Sequence, residues 1–125
     1  MALKEIEEDL KTTSIPTALT DLKNNIVLIV PKGQFDMQGA HHMQNAFNKV
    51  LELGYTNVIL DMQGVSYAAS MGIGAVVSLI AALGKKKGKL AMMNIHPKVL
   101  DVFSLLGFTQ FLNIADSLDE ALKEF

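Results

Sequence analysis

The stretch that decides the fold is residues 58–83, which read VILDMQGVSYAASMGIGAVVSLIAAL. Residues 58–60 are apolar and end at Asp61, as in a buried β-strand that stops at a polar turn. A hydroxyl, Ser70, and two glycines then open a strongly apolar helix that ends near Leu83. A helix start exposes unpaired backbone N–H groups and the positive end of the peptide dipoles, which favours an anion. Ser70 is therefore a candidate site for reversible phosphorylation.

Length and composition indicate one globular domain. The chain has 125 residues, of which 50% are hydrophobic, so it can bury a core and is not expected to be disordered. Its net charge of −2 gives no general attraction to nucleic acid or to anionic membranes. The absence of cysteine excludes disulfides and thiolate chemistry, and it fits a cytoplasmic protein. We expect no signal peptide and no membrane span, because the apolar run 71–83 is too short to cross a bilayer.

Strands alternate with helices along the chain. Residues 2–11 have the spacing of a short amphipathic helix or a frayed arm, and the order β-β-α-β-α-β-α-β-α follows. The strands are expected at 17–22, 26–30, 58–60, 90–93 and 111–114, and the helices at 39–53, 70–83, 97–106 and 117–125. This order predicts an α/β fold with a mixed, mostly parallel sheet of four to five strands and about four helices. Gly54, Gly84 and Gly107 are expected to end three of the helices.

Three segments of the chain resemble the STAS domain, the fold of bacterial anti-sigma factor antagonists. Lys32-Gly33-Gln34-Phe35-Asp36 is similar to the family's Gly-x-hydrophobic-Asp turn before the first helix. Residues 58–61 followed by Ser70-Met71-Gly72-Ile73-Gly74 are similar to its strand and its Asp-Ser-Ser-Gly-Leu-Gly helix start. Residues 95–97 and 105–108 resemble its third helix and the exit from it.

The resemblance implies both a domain organisation and a function. Residues 17–125 would form the STAS domain, with residues 1–16 as an N-terminal extension. In the family, a partner kinase of the anti-sigma type phosphorylates the position that Ser70 occupies. The implied protein is a non-catalytic, cytoplasmic regulator of bacterial transcription that sequesters an anti-sigma factor kinase and is switched off by phosphorylation. The alternatives for further partners are a phosphatase and a second copy of the chain in a homodimer. No cofactor, metal, membrane or direct nucleic-acid contact is expected.

The expected partner-binding residues surround Ser70, and they are Asp36, Ser66, Tyr67, Ala69, Met71, Gly72, Ala75 and Leu79. Asp36 matches an acidic residue that lies near the phosphorylated serine in relatives. Ala69 and Met71 stand where the family motif has an aspartate and a serine, so the turn is more apolar here. This difference favours an alternative function, in which a STAS scaffold or small-ligand sensor works without phosphorylation.

Each of these residues also has a purely structural interpretation. Ser70 is a common residue for a helix N-cap, and Asp36 has the position of a cap or an Asx turn before the next helix. Ser66 is a second hydroxyl available to a kinase, and Tyr67 is expected to pack its ring against the sheet edge. The small apolar helix face formed by Gly72, Ala75, Leu79 and Ala82 is expected to dock a partner, or else to be covered by another helix of the domain.

The remaining polar patterns carry weaker signals. His41 and His42 point in different directions on a helix, so a shared metal ion is not expected. Residues 85–89, Lys-Lys-Lys-Gly-Lys, form a basic turn that we interpret as a solvated loop, with a phosphate or partner contact as the alternative. We find no nucleophile–base pair, no paired carboxylates and no cofactor motif, so an enzyme is not expected.

Overall fold

The computed structural model describes residues 2–125 and contains one five-stranded sheet. Its strands are β1 (Thr17–Asp21), β2 (Ile26–Pro31), β3 (Asn57–Asp61), β4 (Leu90–Met93) and β5 (Asn113–Ala115). They lie side by side in chain order; β1 runs antiparallel to β2, and the other neighbours are parallel. The mixed, mostly parallel sheet predicted from the sequence is therefore confirmed.

Five α-helices connect or flank these strands. They are α1 (Leu3–Leu10), α2 (Met37–Glu52), α3 (Ser70–Lys85), α4 (Pro97–Leu105) and α5 (Leu118–Leu122), and a short 3₁₀ turn covers Thr109–Phe111. Helices α2, α3 and α4 are the crossovers between parallel strands, and they pack in sequence beside one another. Because right-handed crossovers in one direction place helices on one face of a sheet, these three helices form a single layer.

The core has two parts because strand side chains alternate between the two faces of the sheet. The larger part joins α1, α2, α3 and α4 to strand residues such as Val27, Val58 and Met92. The smaller part lies on the other face, where Ala121 of α5 covers Ile59 and its neighbours. The layer of α2, α3 and α4 thus holds the site described below on one side of the sheet.

The first helix contributes to the larger core. Ile6 and Leu10 of α1 are buried, and the Glu7 carboxylate accepts a hydrogen bond from the Leu19 backbone N–H at 2.8 Å. This N–H belongs to edge strand β1, so α1 satisfies a donor that an edge strand leaves unpaired. The frayed-arm interpretation of residues 2–11 is wrong. The domain boundary predicted after residue 16 lies between α1 and β1.

Several predicted boundaries need correction. Helix α3 continues through Gly84 to Lys85, and the chain reverses at Lys87, which has φ +61°, so the left-handed position is not the predicted glycine. Strand β5 begins only at Asn113 because Thr109–Phe111 forms the 3₁₀ turn, and α5 ends at Leu122. Gly54 and Gly107 end their helices at φ +97° and +79°, as predicted.

Within residues 2–125, no helix combines the length and the apolar character needed to cross a bilayer.

Candidate functional site

The site is built from two loops that leave the sheet at the same edge. Strands β2 and β3 are parallel neighbours, so the loops that follow them emerge together. Three backbone hydrogen bonds join the loops. The Gly33 N–H donates to the Gly64 carbonyl at 3.1 Å, and the Phe35 N–H donates to the Tyr67 carbonyl at 3.0 Å. The Phe35 carbonyl in turn accepts from the Ala69 N–H at 2.9 Å. The turn that leads into α3 is therefore held in place by the turn that leads into α2.

Ser70 is the first residue of α3 and is exposed to solvent. The N-cap position is occupied by Ala69, whose side chain cannot accept a hydrogen bond. The interpretation of Ser70 as the N-cap is therefore wrong, because the cap falls one residue earlier. An exposed hydroxyl at the first helical position is accessible to a modifying enzyme.

The backbone around Ser70 leaves donors unpaired. The first hydrogen bond of α3 runs from the Ile73 N–H to the Ala69 carbonyl at 3.1 Å. The N–H groups of Ser70, Met71 and Gly72 find no acceptor among residues 2–125. Unpaired donors at the positive end of the helix dipole stabilise a negative group placed there.

Gly72 allows the first turn of α3 to rest directly on the neighbouring loop. A Cβ atom at this position would lie 2.5 Å from both Cβ and the carbonyl oxygen of Phe35. Phe35 is fully buried and also makes the backbone hydrogen bonds to Tyr67 and Ala69. Phe35 was not predicted as a site residue, yet it anchors the turn. The signal in the sequence was an apolar residue between the polar residues Gln34 and Asp36.

The helix face predicted to dock a partner is covered by the protein itself. Gly72, Ala75 and Leu79 are buried, and α2 packs against α3. This corrects the expectation that these three residues present a surface to a partner, and it supports the alternative of a second helix of the same domain. The small side chains allow α2 to approach α3 closely.

Three large apolar side chains are instead exposed near the start of α3. Tyr67 is 54% exposed, Met71 55% and Met37, the first residue of α2, 68%. Met37 and Met71 line one open depression together with His41. The prediction that Tyr67 packs against the sheet edge is wrong, because Ala68 takes the buried position of this extended segment and turns Tyr67 outward. Met37 was missed, although an apolar residue outside the helical stripe was a visible signal.

Two polar residues of the site have defined hydrogen bonds. The Asp36 carboxylate caps α2 by accepting the Gly39 N–H at 2.8 Å, which confirms the cap interpretation. Ser66 is exposed, and its hydroxyl oxygen accepts a hydrogen bond from the Gln34 side-chain amide at 3.1 Å. Because Asp36 directly follows Phe35, its exposed carboxylate lies at the same edge of the sheet as Ser70.

The segment around Ser70 is electrically neutral. Residues 62–84 contain no Asp, Glu, Lys, Arg or His. Phosphorylation of Ser70 would add about −1.5 to −2 charges to this segment. At the opposite end of the sheet, burial and then the Asp21 carboxylate raise the pKa of the Tyr55 phenol.

The structure does not assemble the histidines into a ligand set. His41 and His42 lie with ring centroids 5.7 Å apart, and His96 accepts a hydrogen bond from the Lys98 N–H at 3.1 Å. Among the described residues, no group of three or more His, Cys, Asp or Glu side chains is placed to hold a metal ion.

Comparison with protein families gives a match over nearly the whole chain. The model of the family described as "STAS domain" matches residues 3–121, a range that includes α1. A Thermotoga maritima protein provisionally named an anti-sigma factor antagonist is 24% identical over 102 residues, covering 81% of this chain and 90% of that protein.

Solved structures show the same fold. An anti-sigma factor antagonist from Mycobacterium paratuberculosis superposes with a TM-score of 0.77 at 22% identity, over 89% of this chain and 93% of that one. Unphosphorylated SpoIIAA, an anti-sigma factor antagonist, gives a TM-score of 0.74 at 22% identity, over 86% and 94% of the two chains. SpoIIAA from Bacillus in its phosphorylated form gives 0.68 at 21% identity, over 86% and 97%.

Proposed function

Because the chain belongs to the STAS domain family, we propose that it is an anti-sigma factor antagonist regulated by phosphorylation at Ser70. In its unmodified form it binds an anti-sigma factor of the serine-kinase type, and this frees a sigma factor. Phosphorylation of Ser70 by that partner ends the binding. The protein itself is a non-catalytic binding module that acts in the bacterial cytoplasm, where sigma factors work.

The single observation that carries this proposal is the position of Ser70. Its hydroxyl is exposed at the first residue of α3, next to the exposed side chain of Met71. A kinase can reach such a hydroxyl, whereas a capping serine would be engaged with the helix backbone. The relative SpoIIAA, whose structure is known in unphosphorylated and phosphorylated forms, has the same fold.

The physical basis of the switch is the charge that phosphorylation would add to a neutral surface. The partner would cover Tyr67, Ala69 and Met71, so a phosphate on Ser70 would have to lose its water within an apolar contact. The exposed carboxylate of Asp36 at the same sheet edge would add repulsion. A loss of about 3 kcal/mol in binding free energy corresponds to more than a hundredfold in affinity, enough to release a partner.

The test uses purified anti-sigma kinases from the same organism, assayed for phosphate transfer and for binding. We expect one phosphoryl group on wild type and on the Ser66→Ala and Ser78→Ala variants, and none on Ser70→Ala. Ser78 is a matched control because it is an exposed serine on the same helix. We also expect Ser70→Glu to bind the kinase at least about tenfold more weakly than Ser70→Ala. Phosphate transfer to Ser70→Ala, or equal binding by Ser70→Glu, would refute the switch.

A second pair of variants tests the contribution of Asp36. Asp36→Asn keeps a side-chain oxygen to cap α2 but removes the negative charge, whereas Asp36→Ala removes both. If repulsion by Asp36 assists release, Asp36→Asn retains more affinity in the phosphorylated state than wild type does. An unchanged ratio of affinities would limit Asp36 to its capping role.

A second function is favoured by the open depression beside Met71. Its volume is about 650 Å³, and Met37, His41 and Met71 contribute to its lining. A STAS scaffold or sensor could hold a small ligand there without any phosphorylation. Nucleotides or lipids that raise the melting temperature of wild type but not of Met71→Gln would support this alternative, provided that Ser70 is never modified.

A further inference from the structure

A second exposed surface lies at the opposite end of the domain from Ser70. Helices α3 and α4 each follow a parallel strand, so both end at the edge where the strands begin. Strand pairing aligns Ala91 of β4 with Asn113 of β5, and Lys89 and Phe111 each lie two residues before these partners. The end of α3 and the end of α4 with its 3₁₀ turn are therefore neighbours. We call this surface the basic–apolar end, formed by Lys85, Lys86, Lys87, Lys89, Leu105, Leu106 and Phe111.

The apolar part of this surface projects strongly into solvent. Leu105 is 85% exposed, Phe111 53% and Leu106 43%. The rings of Phe111 and Phe108 lie with centroids 6.3 Å apart, so these two side chains are neighbours. Water-exposed leucine and phenylalanine side chains grouped at one end of a domain indicate a surface that is covered in use.

The basic part holds four positive charges within five residues. None of these lysines is within ion-pair distance of a carboxylate in residues 2–125. Lys86 donates to the Leu51 carbonyl at 2.9 Å and Lys89 to the Glu124 carbonyl at 3.4 Å, so both contacts leave the charge uncompensated. The chain as a whole has a net charge of −2, whereas residues 84–90 contain four lysines and no acidic residue.

From these two parts we propose that the basic–apolar end binds peripherally to a membrane surface that contains anionic lipids. Leu105, Leu106 and Phe111 enter the boundary between headgroups and acyl chains, while the lysines contact the lipid phosphates. Exposed apolar side chains beside four lysines supply the two contributions that hold a protein at an anionic bilayer surface, buried apolar area and attraction to acidic lipids. Lysine is a flexible point charge, which suits contact with mobile lipid phosphates.

Binding in this orientation leaves the candidate partner site free. Ser70 lies at the carboxyl edge of the parallel strands and the basic–apolar end lies at the amino edge, so a membrane-bound domain still presents Ser70 to a protein partner. This inference does not depend on phosphorylation of Ser70. It replaces the expectation of no membrane contact, which rested on the net charge of the whole chain, with a peripheral location at an anionic membrane surface.

The experiment is co-sedimentation of the full chain with lipid vesicles. We expect binding to vesicles of phosphatidylcholine mixed with phosphatidylserine, weaker binding to phosphatidylcholine alone, and a decrease with added salt. The Lys85→Gln/Lys87→Gln and Leu105→Ser/Phe111→Ser double variants should each partition about tenfold less onto the anionic vesicles. Lys32→Gln/Lys98→Gln is the matched control, because it removes the same charge from exposed lysines at the carboxyl edge of the parallel strands and should bind like wild type.

Three results would overturn the proposal. They are no sedimentation with anionic vesicles, equal binding by the double variants and the control, and a surface that instead mediates self-association or capture of an acidic protein. Circular dichroism verifies that each variant is folded. If the double variant is unfolded, the single variant Leu105→Ser repeats the test, because Leu105 is 85% exposed and its substitution should not disturb the core.

Discussion

At the scale of single residues, the site depends on a one-residue offset at the start of α3. The cap position belongs to Ala69, so Ser70 begins the helix with its hydroxyl exposed. Had the helix begun one residue later, the same serine would be a capping residue with its oxygen committed to the backbone. The Ala69 N–H donates to the Phe35 carbonyl, so the residue that precedes the helix is bonded to the neighbouring loop.

Two glycines of α3 give a residue-scale prediction. Gly72→Ala should destabilise the protein by about 1–3 kcal/mol, because its Cβ would overlap the backbone and side chain of Phe35. Gly74→Ala is the matched control in the same helix: no atom lies within 4 Å of its Cβ, so it should stabilise the protein by up to about 1 kcal/mol. Urea denaturation of both variants measures the difference. Equal effects of the two substitutions would contradict the close approach at Phe35.

At the scale of secondary-structure elements, α1 is a structural part of the domain. It buries Ile6 and Leu10 against the larger core, and Glu7 bonds the outer N–H of edge strand β1. A sequence of alternating charges and apolar residues predicts the amphipathic helix but not the surface that receives it. That surface exists only once β1 and α2 are in place.

The docking of α1 can be measured. Ile6→Ala should lower the free energy of unfolding by roughly 2–5 kcal/mol, because it leaves a cavity in a well-packed core. Lys4→Ala on the exposed side of the same helix should change it by less than about 0.5 kcal/mol. Denaturant titrations followed by circular dichroism give both values. A small effect of Ile6→Ala would show that α1 adds little to the stability of the domain.

At the scale of the whole molecule, the larger core links four helices with the sheet. Its buried residues run from Ile6 in α1 to Phe103 in α4, so the helices share one apolar interior. A domain of this size with a continuous core is expected to unfold in one cooperative transition. The candidate site is part of that unit, because Phe35 and Ile73 belong to the same core.

Cooperativity has a direct test in the tyrosines. The chain has two, Tyr55 at the amino edge of the parallel strands and Tyr67 at the carboxyl edge. We expect tyrosine fluorescence of wild type and of Tyr55→Phe, which retains only Tyr67, to change at the denaturant concentration where circular dichroism changes. An earlier fluorescence transition in Tyr55→Phe would mean that the loop at Ser70 unfolds separately.

The sequence alone determined the class of fold and most of its elements. The local signals were apolar runs with a period of two or 3.6 residues and turn residues such as Gly54 and Gly107. These signals placed four of the five strands and the main helices close to their observed positions. The order of these elements was enough to predict a mostly parallel sheet, because crossover handedness is nearly invariant. The motif around Ser70 was enough to indicate the family that the chain belongs to.

Tertiary structure decided which surfaces are open. An apolar face on α3 has the same sequence pattern whether it docks a partner or is covered by α2, and only packing shows that Ala75 and Leu79 are buried. Likewise, only the pairing of two loops distant in sequence exposes Tyr67 and frees Ser70 from a capping role. Whether a side chain is buried depends on contacts between segments that are distant in sequence. Such contacts produce no periodic pattern in the local sequence, so burial could not be predicted from it.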